Sequence, residues 1–241
     1  MSRLRNRAAR VAAASAVVVA AVAVGFAAPA GAAVTQCVGT VTGEVDGDLI
    51  VPAGAACVLA GAQVHGNVIV SQGASLHAVA AGPVTTTIDK NVLGFDVQSV
   101  LLQYQTQVGG NFVIDGATGG VTGFDINVHV GGNAIVVRNA GYTFIDAAIV
   151  DQNVLVTGST GGVEVEWNRV GGSEDVSWNV PTTMSVYGNQ VARTLTVLHN
   201  TGGGHKQVIA NNATRSLTCL GNDEPFVGGP NASSNVNGQC F

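Results

Sequence analysis

Val130 to Arg169 is one 20-residue pattern written twice. VGGNAIVVRNAGYTFIDAAI stands over VDQNVLVTGSTGGVEVEWNR, with a valine first, an asparagine three places on, an apolar run, a break of small residues and a second run. A period of this length is the mark of a solenoid, in which each repeat cannot bury its apolar face alone and rests on its neighbours. Aligning the chain on that valine or isoleucine gives starts at Val45, Val64, Ile88, Val108, Val130, Val150, Val170 and Val191, spaced by 19, 24, 20, 22, 20, 20 and 21 residues. The residues three places on are Asp48, Asn67, Asn91, Asn111, Asn133, Asn153, Ser173 and Thr194. Asparagine tolerates the left-handed backbone of a turn and bonds its own main chain. Stacked on another asparagine, it can also pair amide to amide along an axis, so Asn67, Asn91, Asn111, Asn133 and Asn153 are expected to form a turn ladder.

Short β-branched runs follow these residues: LIV at 49, VIV at 68, FVI at 112, AIVV at 134 and VLV at 154. Glycine-rich breaks such as Gly116 to Gly120 and Gly158 to Gly162 lead into a second run such as Val163 to Trp167. No stretch keeps a period of 3.6, so the chain reads as all-β. Two or three short strands per coil, stacked in register, make a single-stranded right-handed parallel β-helix of about nine coils of 19–24 residues.

Residues 1–33 are set aside first. Arg3, Arg5, Arg7 and Arg10 precede the Ala/Val-rich run from Val11 to Ala28, and Ala30, Gly31, Ala32 and Ala33 offer a small-residue cleavage site, the layout of a secretory signal peptide. Gly25, Pro29 and Gly31 cut the run short of a comfortable membrane span. The expected plan is a signal peptide over 1–33, coils over 34–213 and a capping coil with a disulfide over 214–241. The mature chain is then secreted, with no membrane span. It keeps six basic against fifteen acidic residues, a formal charge of −9, which excludes a nucleic-acid partner because such binding needs clustered cations.

The coil length, the turn asparagine and the signal peptide together resemble the right-handed β-helices of the pectate-lyase-like superfamily. With LTCLGN and NVNGQC between Leu217 and Cys240, the chain is most similar to small secreted repeat proteins of high-GC Gram-positive bacteria whose role is unassigned. The resemblance covers Val34 to Phe241 and implies a fold rather than an activity, since many activities share it.

Four cysteines in an exported chain allow three pairings. Cys37 and Cys57 are 20 residues apart and Cys219 and Cys240 are 21 apart, one coil in each case. Spacing therefore selects Cys37–Cys57 and Cys219–Cys240, each closing a loop for roughly 3 kcal/mol at a terminal coil.

Three surfaces are candidates for function. Alternation anchored on Asn127 and Asn168 gives an outward column of Gln105, Asp125, Asp146, Glu166 and Tyr187, with Phe124, Ile145, Val165 and Val186 inward. Asp125, Asp146 and Glu166 on successive rungs are oxygen donors of the kind calcium takes; they also stand at the spacing of a retaining glycosidase pair, about 5 Å. The simpler expectation is a solvated acidic face with no cofactor. Lys90, Arg138, Arg169, Arg193, Lys206 and Arg215 are the only bases, and Arg169 alone is near these acids in sequence. The coils are also too short to wall a deep cleft.

The first strand is apolar on both faces. One column reads Leu49, Val68, Val92, Phe112, Ala134, Val154 and the other Ile50, Ile69, Leu93, Val113, Ile135, Leu155, ending at Asp175 and Thr196. The outward one is a candidate interaction ridge unless Ala53 to Ala62 or the tail after Gly221 covers it. The third candidate is aromatic: Trp167 is expected in the core, whereas Trp178 and Tyr187 are placed to stack on a sugar ring. The histidines, His65, His77, His129, His199 and His205, show no zinc spacing. The expectation is a secreted, non-catalytic structural or interaction module acting by self-association or by contact with an envelope or matrix polysaccharide. The alternative is a polysaccharide lyase or glycoside hydrolase using Asp125, Asp146 and Glu166.

Overall fold

The computed structural model describes residues Val34–Phe241; the signal-peptide reading of 1–33 lies outside the described residues. Those residues form one compact unit without helices, a parallel β-solenoid of about ten turns. Ten turns rather than nine arise because both ends contribute strands to the wall, Val34–Gln36 at one and Phe226–Gly228, Ala232–Ser233 and Val236–Gly238 at the other. Coils are numbered by their strands on the first face: Asp48–Val51, Val68–Val70, Val92–Phe95, Phe112–Asp115, Ala134–Val137, Val154–Thr157, Glu174–Ser177, Thr194–Leu198, Ser216–Leu220 and Val236–Gly238. A second face runs from Gly39 through Ser99–Leu102, Val121–Phe124, Tyr142–Asp146, Val163–Glu166 and Thr183–Tyr187 to Phe226–Gly228. A third, narrower face carries Thr86–Ile88, Thr106–Val108, His129–Val130, Ile149–Val150, Arg169–Val170 and Gln190–Val191.

The repeat dictates the register. Val64 pairs with Ile88, Ile88 with Val108, Val108 with Val130, and so on through Val150, Val170 and Val191. These residues line the inside of the third face and are buried. Alternation sends every second side chain of the other faces inward, so Leu49, Val68, Val92, Phe112, Ala134 and Val154 fill the core from the first face and Phe124, Ile145, Val165 and Val186 from the second. Phe112 meets Phe124 edge-on at 5.3 Å between ring centroids. The core column of the first face breaks its pattern once, at Glu174, which pairs with Val154 on one side and Leu195 on the other.

The turns stack as tightly as the strands. A Cβ on Gly131 would lie 2.6 Å from the carbonyl oxygen of Gly109, and one on Gly132 only 2.5 Å from Oδ1 of Asn111; the Gly–Gly turns are a packing requirement.

Beside them runs the asparagine ladder. Nδ2 of Asn67 donates to Oδ1 of Asp48 at 3.0 Å, Asn91 to Asn67 at 2.9 Å, Asn111 to Asn91 at 3.1 Å, Asn133 to Asn111 at 3.0 Å and Asn153 to Asn133 at 2.9 Å. Each acceptor oxygen also takes the backbone N–H of the following asparagine, and the backbone N–H of Ser173 closes the series on Asn153 at 2.9 Å.

Two further ladders occupy the other corners in the C-terminal half. One links Asn168, Asn189, Asn211 and Asn231. The second links Asn179, Asn200, Asn222 and Gln239. Here each amide donates toward the following coil, opposite to the first ladder. Their central members are buried and also donate to strand carbonyls, Asn189 to Val165 and Asn200 to Val176. In the N-terminal half the same corner positions are small or apolar, Val97 and Ala117 at one, Val128 and Ala148 at the other, so the polar spine changes corners partway along the rod.

Cys37 pairs with Cys57 at a Cα separation of 5.5 Å and Cys219 with Cys240 at 5.2 Å. Each pins a terminal coil, which has one stacking neighbour instead of two.

Two predictions follow from the polar core. Asn200→Ala strips the acceptor from the buried N–H and Nδ2 of Asn179, whereas Asn111→Ala opens the half-exposed ladder to water. In denaturant unfolding Asn200→Ala is expected to cost about 2–4 kcal/mol and Asn111→Ala about 1 kcal/mol; equal losses would contradict the account.

Glu174 is fully buried; Oε1 accepts one bond from Asn189 at 3.3 Å and Oε2 has no partner. Burial lifts its carboxyl from 4.5 to about 8. The folded state therefore holds a proton that the unfolded state releases, and its stability falls as pH rises from 4.5 toward 8, then levels off. Glu174→Gln should remove most of that slope, raising the melting temperature at pH 8 by several degrees while changing it little at pH 4.5; a parallel shift at both pH values would refute it.

Candidate functional site

The outward side of the first face carries Ile50, Ile69, Leu93, Val113, Ile135 and Leu155, each the Cα partner of the next. They are half-buried, flanked above and below by one another, while their chain neighbours Leu49, Val68, Val92, Phe112, Ala134 and Val154 point inward. At about 4.8 Å per rung the aliphatic column is roughly 25 Å long. It ends where Leu155 pairs with Asp175 and Asp175 with Thr196. The two segments expected as cover do not supply it. Ala56–Val64 turns the corner of the second and third faces, and the tail builds the tenth coil, because both have the alternation and turn residues of wall strands. All 29 strands belong to the wall, so none among the described residues crosses the column.

The second face carries the acids. Asp146 pairs with Glu166 and Glu166 with Tyr187, and Asp125 follows Phe124, the partner of Ile145. The residue level with Asp125 is Gln103, not Gln105: Phe124 pairs with Leu102, so the register is offset by two residues, and Tyr104 and Gln105 turn the corner in left-handed backbone. Gln103 donates from Nε2 to Oδ2 of Asp125 at 3.0 Å. Glu164, overlooked in the sequence, shares the face two residues from Glu166; its outward phase was readable from the alternation but no acid repeat marked it.

Neutral donors occupy the carboxylates, the Tyr142 hydroxyl on Glu164 and the Ser185 hydroxyl on Glu166. Partial burial and the neighbouring Glu164, Asp125 and Glu166 push the Asp146 carboxyl above the usual range, against the Ala147 N–H. Burial and Glu164 likewise hold the Tyr142 hydroxyl protonated. Of the ion pairs among the described residues, Arg138–Asp115 at 2.8 Å, His65–Asp89 at 2.9 Å and His129–Asp151 at 3.1 Å, none involves these acids. The described residues contain no group of three side chains arranged to hold a metal ion.

Trp167 contradicts its expected place in the core: it is 58 % exposed. It occupies the left-handed corner position, φ 55°, where strict alternation no longer applies, and its ring lies 4.9 Å from that of Tyr187. Trp178 holds the equivalent place at another corner, φ 61°, stacked on His199 at 4.3 Å. Asn168 does not align with Asn127 either. Its column is Val128, Ala148, Asn168 and Asn189, since Val130, Val150, Val170 and Val191 fix the register two residues on. The inner ladders are the larger omission. Asn168, Asn189, Asn211 and Asn231 recur every 20–22 residues, but an alignment that follows one turn per coil passes over the other two corners.

No helix among the described residues is long and apolar enough to cross a membrane, and two disulfides fit an oxidising, extracellular setting. No protein-family model, curated protein or solved structure matches this chain. The resemblance noted in the sequence therefore goes as far as a parallel β-solenoid.

Proposed function

We propose that this chain is a secreted, non-catalytic β-helix of the pectate-lyase-like kind, a structural and interaction module that associates with itself side by side through the first face. The observation that carries this reading is the unbroken outward column Ile50, Ile69, Leu93, Val113, Ile135 and Leu155. A contiguous apolar stripe left half open to water marks a place where a partner docks.

Lateral contact is favoured over end-to-end growth because the asparagine ladders end in closing groups. Asp48 terminates the first ladder with an oxygen acceptor that has no amide hydrogen to offer, and Asn231 ends another on the carbonyl of Cys240. The lyase or hydrolase alternative draws on Asp125, Asp146 and Glu166. It ranks second because Asp125 and Glu166 already bond Gln103 and Ser185 and, among the described residues, no cation is paired with any of the three. Calcium there, and contact with an envelope polysaccharide, rest on the same acids and on the exposed tryptophans.

Sedimentation of the purified protein over a wide concentration range should show reversible association, weakened about tenfold or more by Val113→Lys with the melting temperature nearly unchanged. A strict monomer, or a variant that associates like the parent, would remove the reading.

A further inference from the structure

We propose that the partner on the first face is a second copy of this chain lying antiparallel, the two columns face to face; this rests on the self-association reading above. A flat β-face with one side chain every 4.8 Å or so is matched along its length only by a surface with the same repeat, and this chain carries one. Two-fold symmetry lets a column meet its own copy in two ways. With the rods parallel, coil meets like coil, and Asp175 is pressed against Asp175 where water has been expelled. Desolvated like charges disfavour that arrangement.

With the rods antiparallel and the axis between coils 3 and 4, Ile50 meets Leu155, Ile69 meets Ile135 and Leu93 meets Val113. All six aliphatic side chains are covered. Asp175 passes beyond the partner's Ile50 to the level of Gln36, which pairs with Ile50 on the open side.

Charge along one edge of this face is distributed unevenly. The edge between the third and first faces is acidic at its N-terminal end, with Asp46 and Asp48, and basic at its C-terminal end, with exposed Arg193 and Arg215. Antiparallel copies bring this edge against itself end for end. Arg193, on coil 8, then lies two rungs past the partner's Asp48, about 10 Å along the axis and close to the screening length of physiological salt. Asp151 comes level with the partner's Asp46, a like-charge approach on the exposed rim that bulk water and salt screen.

Six rungs of a face roughly 13 Å wide give roughly 400 Å² per copy, which places the pair among weak, reversible complexes rather than obligate dimers.

The test uses two single variants, Ile69→Cys and Ile135→Cys, each treated with a short thiol-specific crosslinker alone and then mixed. The antiparallel pair predicts a crosslinked heterodimer in the mixture, several-fold above the homodimer from either variant alone. Homodimers from each variant alone, with no gain on mixing, would establish the parallel arrangement and overturn the proposal. So would an absence of crosslinks from variants that still sediment as dimers. If the unsubstituted protein is monomeric throughout, the underlying self-association reading fails instead.

Discussion

The axial distance between coils, about 4.8 Å, is the constraint on which everything else depends. It sets each residue directly against the one 19–24 positions later, so the chain interacts mainly with its own repeats. Valine rests on valine along the third face, and amide bonds amide at three corners in turn. This arrangement explains why so little charge is needed for a chain of this length. The backbone polar groups are satisfied by the ladders of the wall, and the corner groups by asparagines that repeat with the coil. The direction of those side-chain bonds differs between the halves, and each series ends on a group that closes it: Asp48, Gln239 or the carbonyl of Cys240. A disulfide stands at each end coil of the described residues.

Much of this was legible in the sequence because a solenoid turns sequence distance into spatial contact. The valine starts, the first asparagine ladder and the one-coil cysteine spacing are statements about period alone. Corners were harder. A left-handed residue at two of the three corners interrupts the count, so carrying it across Tyr104 and Gln105 misplaced Gln105, and carrying it to Trp167 put an exposed ring in the core. Glu174 was unreadable for another reason: its neighbours in the repeat are Val154 and Leu195, and a burial-raised carboxyl leaves no mark on periodicity.

The surfaces differ in what they can do. The second face concentrates carboxylates and aromatic rings, but Asp125, Glu164 and Glu166 each accept a bond from a neutral donor on an adjacent coil, which ties one side of each carboxylate into the sheet. The first face spends nothing in this way. Its aliphatic column has no polar group to satisfy and gains only by losing contact with water, and it stops at Asp175, where the outward side becomes polar. A surface bounded so sharply along the axis limits how far a partner can overlap it, which is why a short, reversible contact suits it better than a continuous one.

The central claim is the register itself, and paired cysteines test it most directly. Ile135 and Leu155 are Cα partners on the outward side of adjacent coils, whereas Val156, one residue on, points into the core. Oxidation of the double variant Ile135→Cys, Leu155→Cys should close an intramolecular disulfide and leave the fold as stable as before. The pair Ile135→Cys, Val156→Cys should stay reduced. Crosslinking of the shifted pair in place of the first would mean that the coils do not stack as described.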